Sequence, residues 1–143
     1  LFIDVDDFKF INDRFGHSVG DEVIKYVAGC IKQRVKGSGF AGRFGGDEFV
    51  LCITDPKQIE EIESLSLDLI DELYEGYHSE LANVSINVKA SIGIAFYPEH
   101  GDDSNKVVAA ADEAMYFVKK NGKANYHIYQ PEDSEMEDLQ HTL

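Results

Sequence analysis

The chain has 143 residues, which is enough for one globular domain with a buried core. Its net charge of -14 disfavours nonspecific binding to DNA or to an anionic membrane surface, and its 43% of hydrophobic residues excludes a disordered chain. Phosphate-bearing ligands would therefore need metal ions and a few local cations in order to bind.

The ends and the cysteines of the chain suggest its setting. No apolar run approaches a membrane span of roughly 18 residues, and no signal peptide opens the chain, so we predict a cytoplasmic domain whose parent protein could be anchored elsewhere. The chain begins without Met inside an apolar run, which indicates a fragment of a longer protein. Cys30 and Cys52 lie in apolar segments and are interpreted as reduced core residues.

The first third of the chain is predicted to contain one strand and one helix. Residues 1–5 are an apolar run that ends in acids, which favours a buried strand. Residues 8–20 contain two glycines and are interpreted as a loop. Asp21 then fits a helix start, and apolar residues at helical spacing continue to Val35.

The rest of the chain alternates strands and helices. Two short strands are joined through Gly45 and Gly46, a two-glycine hairpin signal. We treat residues 1–130 as the domain and residues 131–143 as an acidic linker or tail. The predicted elements are strands over 40–44 and 49–53, a helix over 56–77, a long strand over 84–94, a helix over 104–121 and an edge strand over 126–129.

This order predicts an α+β fold with a ferredoxin-like βαββαβ core, followed by an additional helix and edge strand. Right-handed crossovers place the first and third strands side by side in the middle of a mostly antiparallel sheet. Following the strand directions, the end of the first strand meets the hairpin turn, the start of the first helix and the end of the last helix. The residues gathered at this edge are Asp4, Asp6, Asp21, Asp47, Glu48, Lys119 and Lys123.

Converging carboxylates repel one another, and a hard cation would resolve that repulsion. Mg²⁺ is usually held by one or two carboxylates together with substrate phosphates. Two such ions, roughly 3.5–4 Å apart, activate an attacking hydroxyl and stabilise a leaving pyrophosphate. Lys9, Lys119 and Lys123 could neutralise phosphate charge. The alternative is that the acids only solvate a strand end and a hairpin.

Several residues admit two interpretations. Asn12 and Asp21 could hydrogen-bond the edge of a guanine, but Asp21 could equally be a helix N-cap. His17 could simply be a loop histidine, and Phe8 could be a core residue or a platform for base stacking. The two lysines at the end of the last helix could only complement its dipole.

Four sequence blocks in order resemble the GGDEF domain family. Residues 43–49 read Arg-Phe-Gly-Gly-Asp-Glu-Phe, which matches the signature hairpin of that family in full. The opening block over 1–21 and the later blocks over 90–95 and 111–125 also match. Each block is moderately specific alone, whereas four in order are very specific and cover the chain to about Tyr129.

The resemblance implies a diguanylate cyclase of bacterial second-messenger signalling, which joins two GTP into cyclic di-GMP and releases two pyrophosphates. Each protomer of a homodimer would bind one GTP. Two Mg²⁺ ions, replaceable by Mn²⁺, would be held by Asp4, the backbone carbonyl of Val5, Asp47 and Glu48. Asp47 would accept the proton of the 3′-hydroxyl, assisted by Glu48 and Lys9. The substrate-binding residues would be Phe8, Asn12, His17, Asp21, Gly45, Gly46, Lys119 and Lys123, with Asn12 and Asp21 contacting guanine.

This sequence departs from the family pattern at three places. The Arg-x-x-Asp motif of the product-inhibition site is replaced by Lys-Gly-Ser-Gly at 36–39, so feedback inhibition there is not expected. Lys123 stands where arginine is common and lacks the bidentate fork. The family's usual helix before the first strand, which connects to a sensor domain, is missing. Residues 129–132 resemble the run that leads to a phosphodiesterase-type domain.

Two other functions stay open. The chain could be a catalytically weak GTP-binding domain that regulates an adjacent module, or a relative of other nucleotidyl cyclases and polymerase palm domains. The intact motif at 45–49 favours catalysis, and Asn12 with Asp21 favours guanine. Neither nucleic acid nor a membrane is predicted as a partner of this domain.

Overall fold

The computed structural model describes residues 1–134. Within them no helix combines the length and the apolar character needed to cross a membrane. In chain order the elements are β1 Phe2–Val5, α1 Phe8–Phe15, α2 His17–Lys32, β2 Phe40–Gly45, β3 Glu48–Cys52, α3 Ile59–Glu75, β4 Tyr77–Ser79, β5 Val84–Ile86, β6 Ala90–Ile94, α4 Ser104–Lys120 and β7 Tyr126–Ile128.

The main sheet has the strand order β2-β3-β1-β6-β7. Its pairs are antiparallel except for the parallel pair of β6 and β7. β1 therefore lies between β3 and β6 in the centre, which confirms the predicted α+β fold and its ferredoxin-like core. Alternation along β1 sends successive side chains to opposite faces. Ile3 belongs to the core cluster that includes residues of α2 and α3, whereas Phe2 packs with Ala111 and Met115 of α4.

The predicted loop over residues 8–20 is wrong, because this segment forms α1 and the first turn of α2. Gly16 lies between the two helices with φ 92°, a left-handed conformation that favours glycine. Gly20 lies inside α2, where a Cβ would come within 1.8 Å of Asn12 Oδ1. The two glycines thus separate and pack two helices. Asp21 consequently lies one turn inside α2, so its interpretation as the start of the helix is also wrong.

The predicted long strand over 84–94 is divided between two sheets. β5 pairs with β4, a strand that the sequence pattern did not reveal, in a separate two-stranded sheet. The backbone N–H of Val88 donates to the carbonyl of Leu73 at 3.1 Å, so the chain leaves one ladder to bond the end of α3 before it joins β1. β5 buries one face, whereas all five residues of β6 are buried, so the alternation over 90–94 reflects small residues (Ser91, Gly93) between larger apolar ones rather than an exposed face.

The hairpin and the later helices lie close to their predicted positions. The turn between β2 and β3 is formed by Gly46 and Asp47, with Gly45 paired to Glu48. α3 starts three residues after Pro56, and α4 ends one residue earlier than expected. The two cysteines are free; Cys30 is buried and Cys52 is half-buried.

Gly93 sets the distance between α4 and the sheet. A Cβ at this position would lie 1.9 Å from the carbonyl oxygen of Ala111 and 2.4 Å from the backbone nitrogen of Met115. Without a side chain, β6 therefore contacts the backbone of α4 directly. This close packing brings the last turn of α4, with Lys119, to the end of β1.

The described start of the predicted tail packs on the domain. Residues 131–134 are helical, and the carboxylate of Asp133 is held at 3.1 Å and 3.2 Å from Nε2 of His127. The His127 ring in turn stacks on Phe117 of α4 with a centroid distance of 4.0 Å. The remainder of the predicted linker, residues 135–143, lies outside the described residues.

Candidate active site

The end of β1 meets the start of β3 at a row of acids. Asp4 is directly opposite Glu48 in the antiparallel pair. The backbone N–H of Val5 donates to the carbonyl of Asp47 at 3.1 Å, which fixes the turn against the end of β1. The side chains of Asp4, Asp47 and Glu48 are therefore neighbours because the strands pair in this register.

The Asp4 carboxyl is held in an unfavourable environment for a charge. Its side chain is only 15% exposed, and Oδ1 is a buried atom without a hydrogen-bond partner among the described residues. Burial raises the pKa of Asp4 to about 7; the Lys119 ammonium opposes this shift, while the carboxyls of Asp47 and Glu48 add to it. An unpaired buried carboxylate is costly, so this oxygen is suited to a cation.

Glu48 experiences the same crowding. Burial raises the pKa of Glu48, and the carboxyls of Asp112 and Asp47 raise it further, whereas Lys119 lowers it. Asp112 is an exposed residue of α4 that sequence reasoning did not single out. Acids from β1, the hairpin and α4 therefore face one another at this edge.

Lys119 is the cation at the centre of the cluster. Its Nζ lies 2.5 Å from Asp6 Oδ1 and 3.6 Å from Asp4 Oδ2, and its side chain is 20% exposed. Asp6 itself has a fully buried side chain. Lys119 thus contacts both acids at the end of β1, but it approaches the second one much more closely.

Lys123 lies farther out, in the turn that follows α4. Its Nζ donates to Asp7 Oδ1 at 2.8 Å, and 42% of its side chain is exposed. This hydrogen bond lowers the pKa of Asp7 and raises the pKa of Lys123. The pair lies at the surface, where a phosphate could displace the carboxylate from the ammonium.

The turn at Gly45 and Gly46, next to the acids, is open on one side and hydrogen-bonded to Arg43. A Cβ at Gly45 or Gly46 would meet no atom within 4 Å, and Gly46 has φ 35°. The Arg43 guanidinium donates from Nε at 2.8 Å and from its terminal nitrogen at 2.5 Å to the carbonyl of Gly46. The backbone of the turn is therefore fixed while its outer side stays accessible to a ligand.

The predicted base-binding residues belong to the helix pair α1 and α2. The Asn12 amide lies over Gly20, the residue before Asp21, so both predicted guanine contacts are at this helix–helix junction. The Phe8 ring reaches the same glycine, with Cζ 3.3 Å from the position of its missing Cβ, and Phe8 is half-buried. Lys9 in the first turn of α1 and His17 at the start of α2 are exposed.

Sequence reasoning missed the structural partners of this site. Asp6 was interpreted only as one more acid at the strand end, and neither Ser91 nor the Arg43 brace was assigned a role. Arg43 and Ser91 do lie within motif blocks. Their contacts nevertheless depend on strand register, which the sequence pattern does not specify in this detail.

The acids at this sheet edge suit a divalent cation whose remaining ligands come from water or from a phosphate. Among residues 1–134, no group of three or more His, Cys, Asp or Glu side chains is arranged to hold a metal ion by itself. Mg²⁺ commonly takes one or two carboxylates, with waters and phosphate oxygens as its other ligands. Asp4, with its unpartnered buried oxygen, and the adjacent Asp47 supply such a partial set.

The comparisons with known proteins agree on one family. The model described as "Diguanylate cyclase, GGDEF domain" matches residues 1–125. MucR of Pseudomonas aeruginosa, a bifunctional diguanylate cyclase/cyclic di-GMP phosphodiesterase, is 35% identical over 91% of this chain and 18% of MucR. The cyclic di-GMP phosphodiesterase PdeR of Escherichia coli is 31% identical over 92% of this chain and 20% of PdeR. This chain therefore spans a minor part of the length of these curated relatives.

A solved structure extends the match to the fold. The structure of P. aeruginosa TpbB (YfiN) that comprises only its GGDEF domain is similar with a TM-score of 0.90 and 30% identity, covering 96% of this chain and 79% of that one. The strand order and the acidic sheet edge described above therefore occur in a chain whose family is shown by both sequence and fold. This chain belongs to the GGDEF domain family.

Proposed function

We propose that this domain is a diguanylate cyclase, which condenses two GTP into cyclic di-GMP and two pyrophosphates. The observation that carries the proposal is the meeting of Asp4, Asp47 and Glu48 with Lys119 at one sheet edge, in a member of the GGDEF family. The acids can hold a cation and accept a proton, and the Lys119 ammonium can bind phosphate.

A divalent cation, which we take to be Mg²⁺ or Mn²⁺ at two positions, would be held by Asp4, Asp47, Glu48 and the carbonyl of Val5. When bound, it supplies Lewis-acid stabilisation of phosphoryl oxygens and lowers the pKa of a coordinated hydroxyl. The acids fit that role because Asp4 Oδ1 is buried with no hydrogen-bond partner within residues 1–134, and because burial and neighbouring carboxyls raise the pKa of both Asp4 and Glu48.

The reaction consists of two equivalent transfers. In each, the 3′-oxygen of one GTP forms a bond to the α-phosphorus of the other, and the bond from that phosphorus to the bridging oxygen of the β-phosphate breaks. Asp47 accepts the hydroxyl proton, and pyrophosphate leaves. In this proposal Glu48 helps to hold the cation, and the Lys9 ammonium balances the negative charge that develops on the phosphate.

The remaining site residues position the nucleotide. Lys119 and Lys123 would hold the terminal phosphates, and the open turn at Gly45 and Gly46 would let the backbone approach them. Guanine would be contacted by Asn12 and Asp21, with Phe8 and His17 completing the substrate-binding set. The junction of α1 and α2 at Gly20 would thus form the base pocket.

Two protomers are needed, because each site binds one GTP and the two nucleotides must face each other. We therefore propose catalysis in a homodimer. Because GTP is the substrate, we place the domain in the cytoplasm. We set the domain at residues 1–130, with residues 131–143 as a tail, and expect a sensor domain before it and a phosphodiesterase-type domain after it in the full protein.

The proposal is tested by fusing the protein to a dimerising coiled coil and incubating it with GTP and Mg²⁺. We expect cyclic di-GMP and two pyrophosphates per product, measured by liquid chromatography with mass spectrometry and a pyrophosphate assay. Asp47→Ala should remove turnover and keep the fold. Asp102→Ala is the matched control, because it removes an exposed acid that pairs with Lys106 in the first turn of α4.

A second function is favoured by one observation. PdeR, whose name is that of a phosphodiesterase, matches nearly the whole of this chain. The domain could therefore bind GTP and regulate an adjacent module without efficient catalysis. Tight GTP binding by the dimerised protein without any cyclic di-GMP would support this function and contradict the cyclase.

A further inference from the structure

Asp6 occupies a position unlike that of any other acid near the site. It follows β1, it is 3% exposed as a residue, and its side chain is fully buried. Oδ1 accepts hydrogen bonds from Ser91 Oγ at 2.7 Å and from Lys119 Nζ at 2.5 Å. Oδ2 accepts from the backbone N–H of Ala124 at 2.9 Å. Both oxygens are therefore satisfied within the protein.

These hydrogen bonds connect three separate segments of the chain. Ser91 belongs to β6, Lys119 to the last turn of α4, and Ala124 to the turn before β7. The Asp6 backbone N–H adds a fourth contact, to the carbonyl of Lys89 at 2.8 Å. One buried carboxylate thus joins the end of β1 to the two segments that carry Lys119 and Lys123.

The turn held by Asp6 has an unfavourable backbone conformation. Lys123 and Ala124 have φ 61° and 48°, and neither is glycine. Left-handed conformations are unfavourable for residues other than glycine and persist when surrounding contacts fix them. The hydrogen bond from Ala124 to Asp6 is such a contact, so the position of Lys123 depends on Asp6.

Asp6 also determines which acid Lys119 approaches. Nζ lies 2.5 Å from Asp6 Oδ1 but 3.6 Å from Asp4 Oδ2, which is beyond hydrogen-bond distance, and the other oxygen of Asp4, Oδ1, has no hydrogen-bond partner among residues 1–134. Without the Asp6 charge, the ammonium would move toward Asp4, where the cation is expected to bind.

We propose that Asp6 is a positioning residue for nucleotide binding, which holds Lys119 and the turn carrying Lys123 ready for phosphate and keeps Lys119 off the metal ligand Asp4. It touches neither substrate nor metal, since its side chain is buried and its oxygens are occupied. The inference rests on the proposed function for the identity of the nucleotide.

The test measures binding of a non-hydrolysable GTP analogue with Mg²⁺ by calorimetry. Asp6→Asn keeps the shape and removes the charge, and we expect its Kd to rise at least about 10-fold, as for other residues that orient ligand-binding groups. Asp102→Asn removes an equal charge from an exposed pair with Lys106, just before the start of α4, and should leave the Kd unchanged. A folded Asp6→Asn protein with the wild-type Kd would overturn the proposal.

A double-mutant cycle separates positioning from general destabilisation. If Asp6 acts through the lysine, most of the effect of Asp6→Asn should disappear in a Lys119→Met background. Equal losses in both backgrounds would mean that Asp6 is merely structural. If Asp6→Asn does not fold, Ser91→Ala decides, because it removes one donor to the same oxygen; a rise in Kd of about threefold supports the proposal, and no change overturns it.

Failure of the proposed function gives a different result. In that case the wild-type protein itself does not bind the analogue. The Lys119 ammonium resonance and the Ala124 amide resonance then decide the inference by NMR. Both should shift in Asp6→Asn and not in Asp102→Asn, and unchanged resonances would overturn the positioning role.

Discussion

Asp4 and Asp6 lie two residues apart at the end of β1, yet their carboxylates meet opposite environments. Asp4 has a buried oxygen that finds no hydrogen-bond partner in the part of the chain that the structure describes, and it faces the carboxyls of Asp47 and Glu48. Asp6 accepts hydrogen bonds from a serine, a lysine and a backbone N–H. Unfavourable electrostatics are thus found at Asp4 and its neighbouring acids, which are expected to meet a ligand. Asp6, the acid behind them, has hydrogen-bond donors for both carboxylate oxygens.

The largest expected effect comes from exchanging Asp4 for Asn. Asp4→Asn should reduce cyclic di-GMP formation by at least about 100-fold, since it removes a carboxylate ligand of the cation that stabilises the reacting phosphates. It should not lower the free energy of unfolding of the metal-free protein at pH 8, because it removes repulsion between acids. Steady-state assays of the dimerised protein and urea denaturation measure the two quantities.

Asp6→Asn, in contrast to Asp4→Asn, should lower the free energy of unfolding. Breaking a buried ion pair typically costs on the order of 3 kcal/mol, so this variant should unfold at distinctly lower urea concentration. If Asp4→Asn destabilised the protein as much as Asp6→Asn does, the contrast between the two acids would be refuted.

The second prediction concerns Gly93 of β6, whose close packing against α4 helps to place Lys119 beside Asp6. Gly93→Ala should lower the free energy of unfolding by about 1–3 kcal/mol, because its Cβ would collide with the α4 backbone and force it outward. GTP affinity should fall with it, since α4 carries Lys119. Gly29→Ala is the matched control: it lies on α2, its Cβ meets no atom within 4 Å, and it should stabilise the helix by about 0.5–1 kcal/mol. Equal responses of the two variants would contradict the role of close packing at Gly93.

The last prediction is a pH dependence of stability due to Asp4. The pKa of this carboxyl rises from an ordinary value of 3.8 to about 7 on folding, chiefly through burial. Between these values the folded protein holds a proton that the unfolded chain releases, so its contribution to stability falls as pH rises and is lowest above pH 7. The difference in unfolding free energy between wild type and Asp4→Asn, measured in EDTA, should become more unfavourable to wild type from pH 4 to pH 7. A constant difference would show that Asp4 is not perturbed.

Apolar spacing and turn residues predicted those elements of the fold that depend mainly on neighbouring residues. β1, α3 and α4 were located within a few residues, because apolar spacing and turn residues determine such elements. The hairpin with Asp47 at its turn and the meeting of β1 with β3 followed from topology rules. Convergence of Asp4 with Asp47 and Glu48 could therefore be anticipated from sequence.

The wrong predictions over 8–20 and 84–94 arose where tertiary contacts changed the meaning of a local pattern. Gly20 indicated a loop, but it lies inside α2 because Asn12 occupies the space of its Cβ. The alternation over 84–94 indicated one strand, but hydrogen bonds divide it between two sheets. In both cases the local signal was real, but its meaning depended on a packing or pairing partner that the local pattern does not specify.

The sequence by itself determined the family, the order of the elements and the acids that gather at one sheet edge, since these follow from motif spacing and hydrophobic period. Only the tertiary structure decided how Asp4 and Asp6 differ. Burial and hydrogen-bond partners depend on which segments pack against each carboxylate, and Ser91, Lys119 and Ala124 reach Asp6 from 85, 113 and 118 residues away. A pattern of neighbouring residues contains no information about such distant donors.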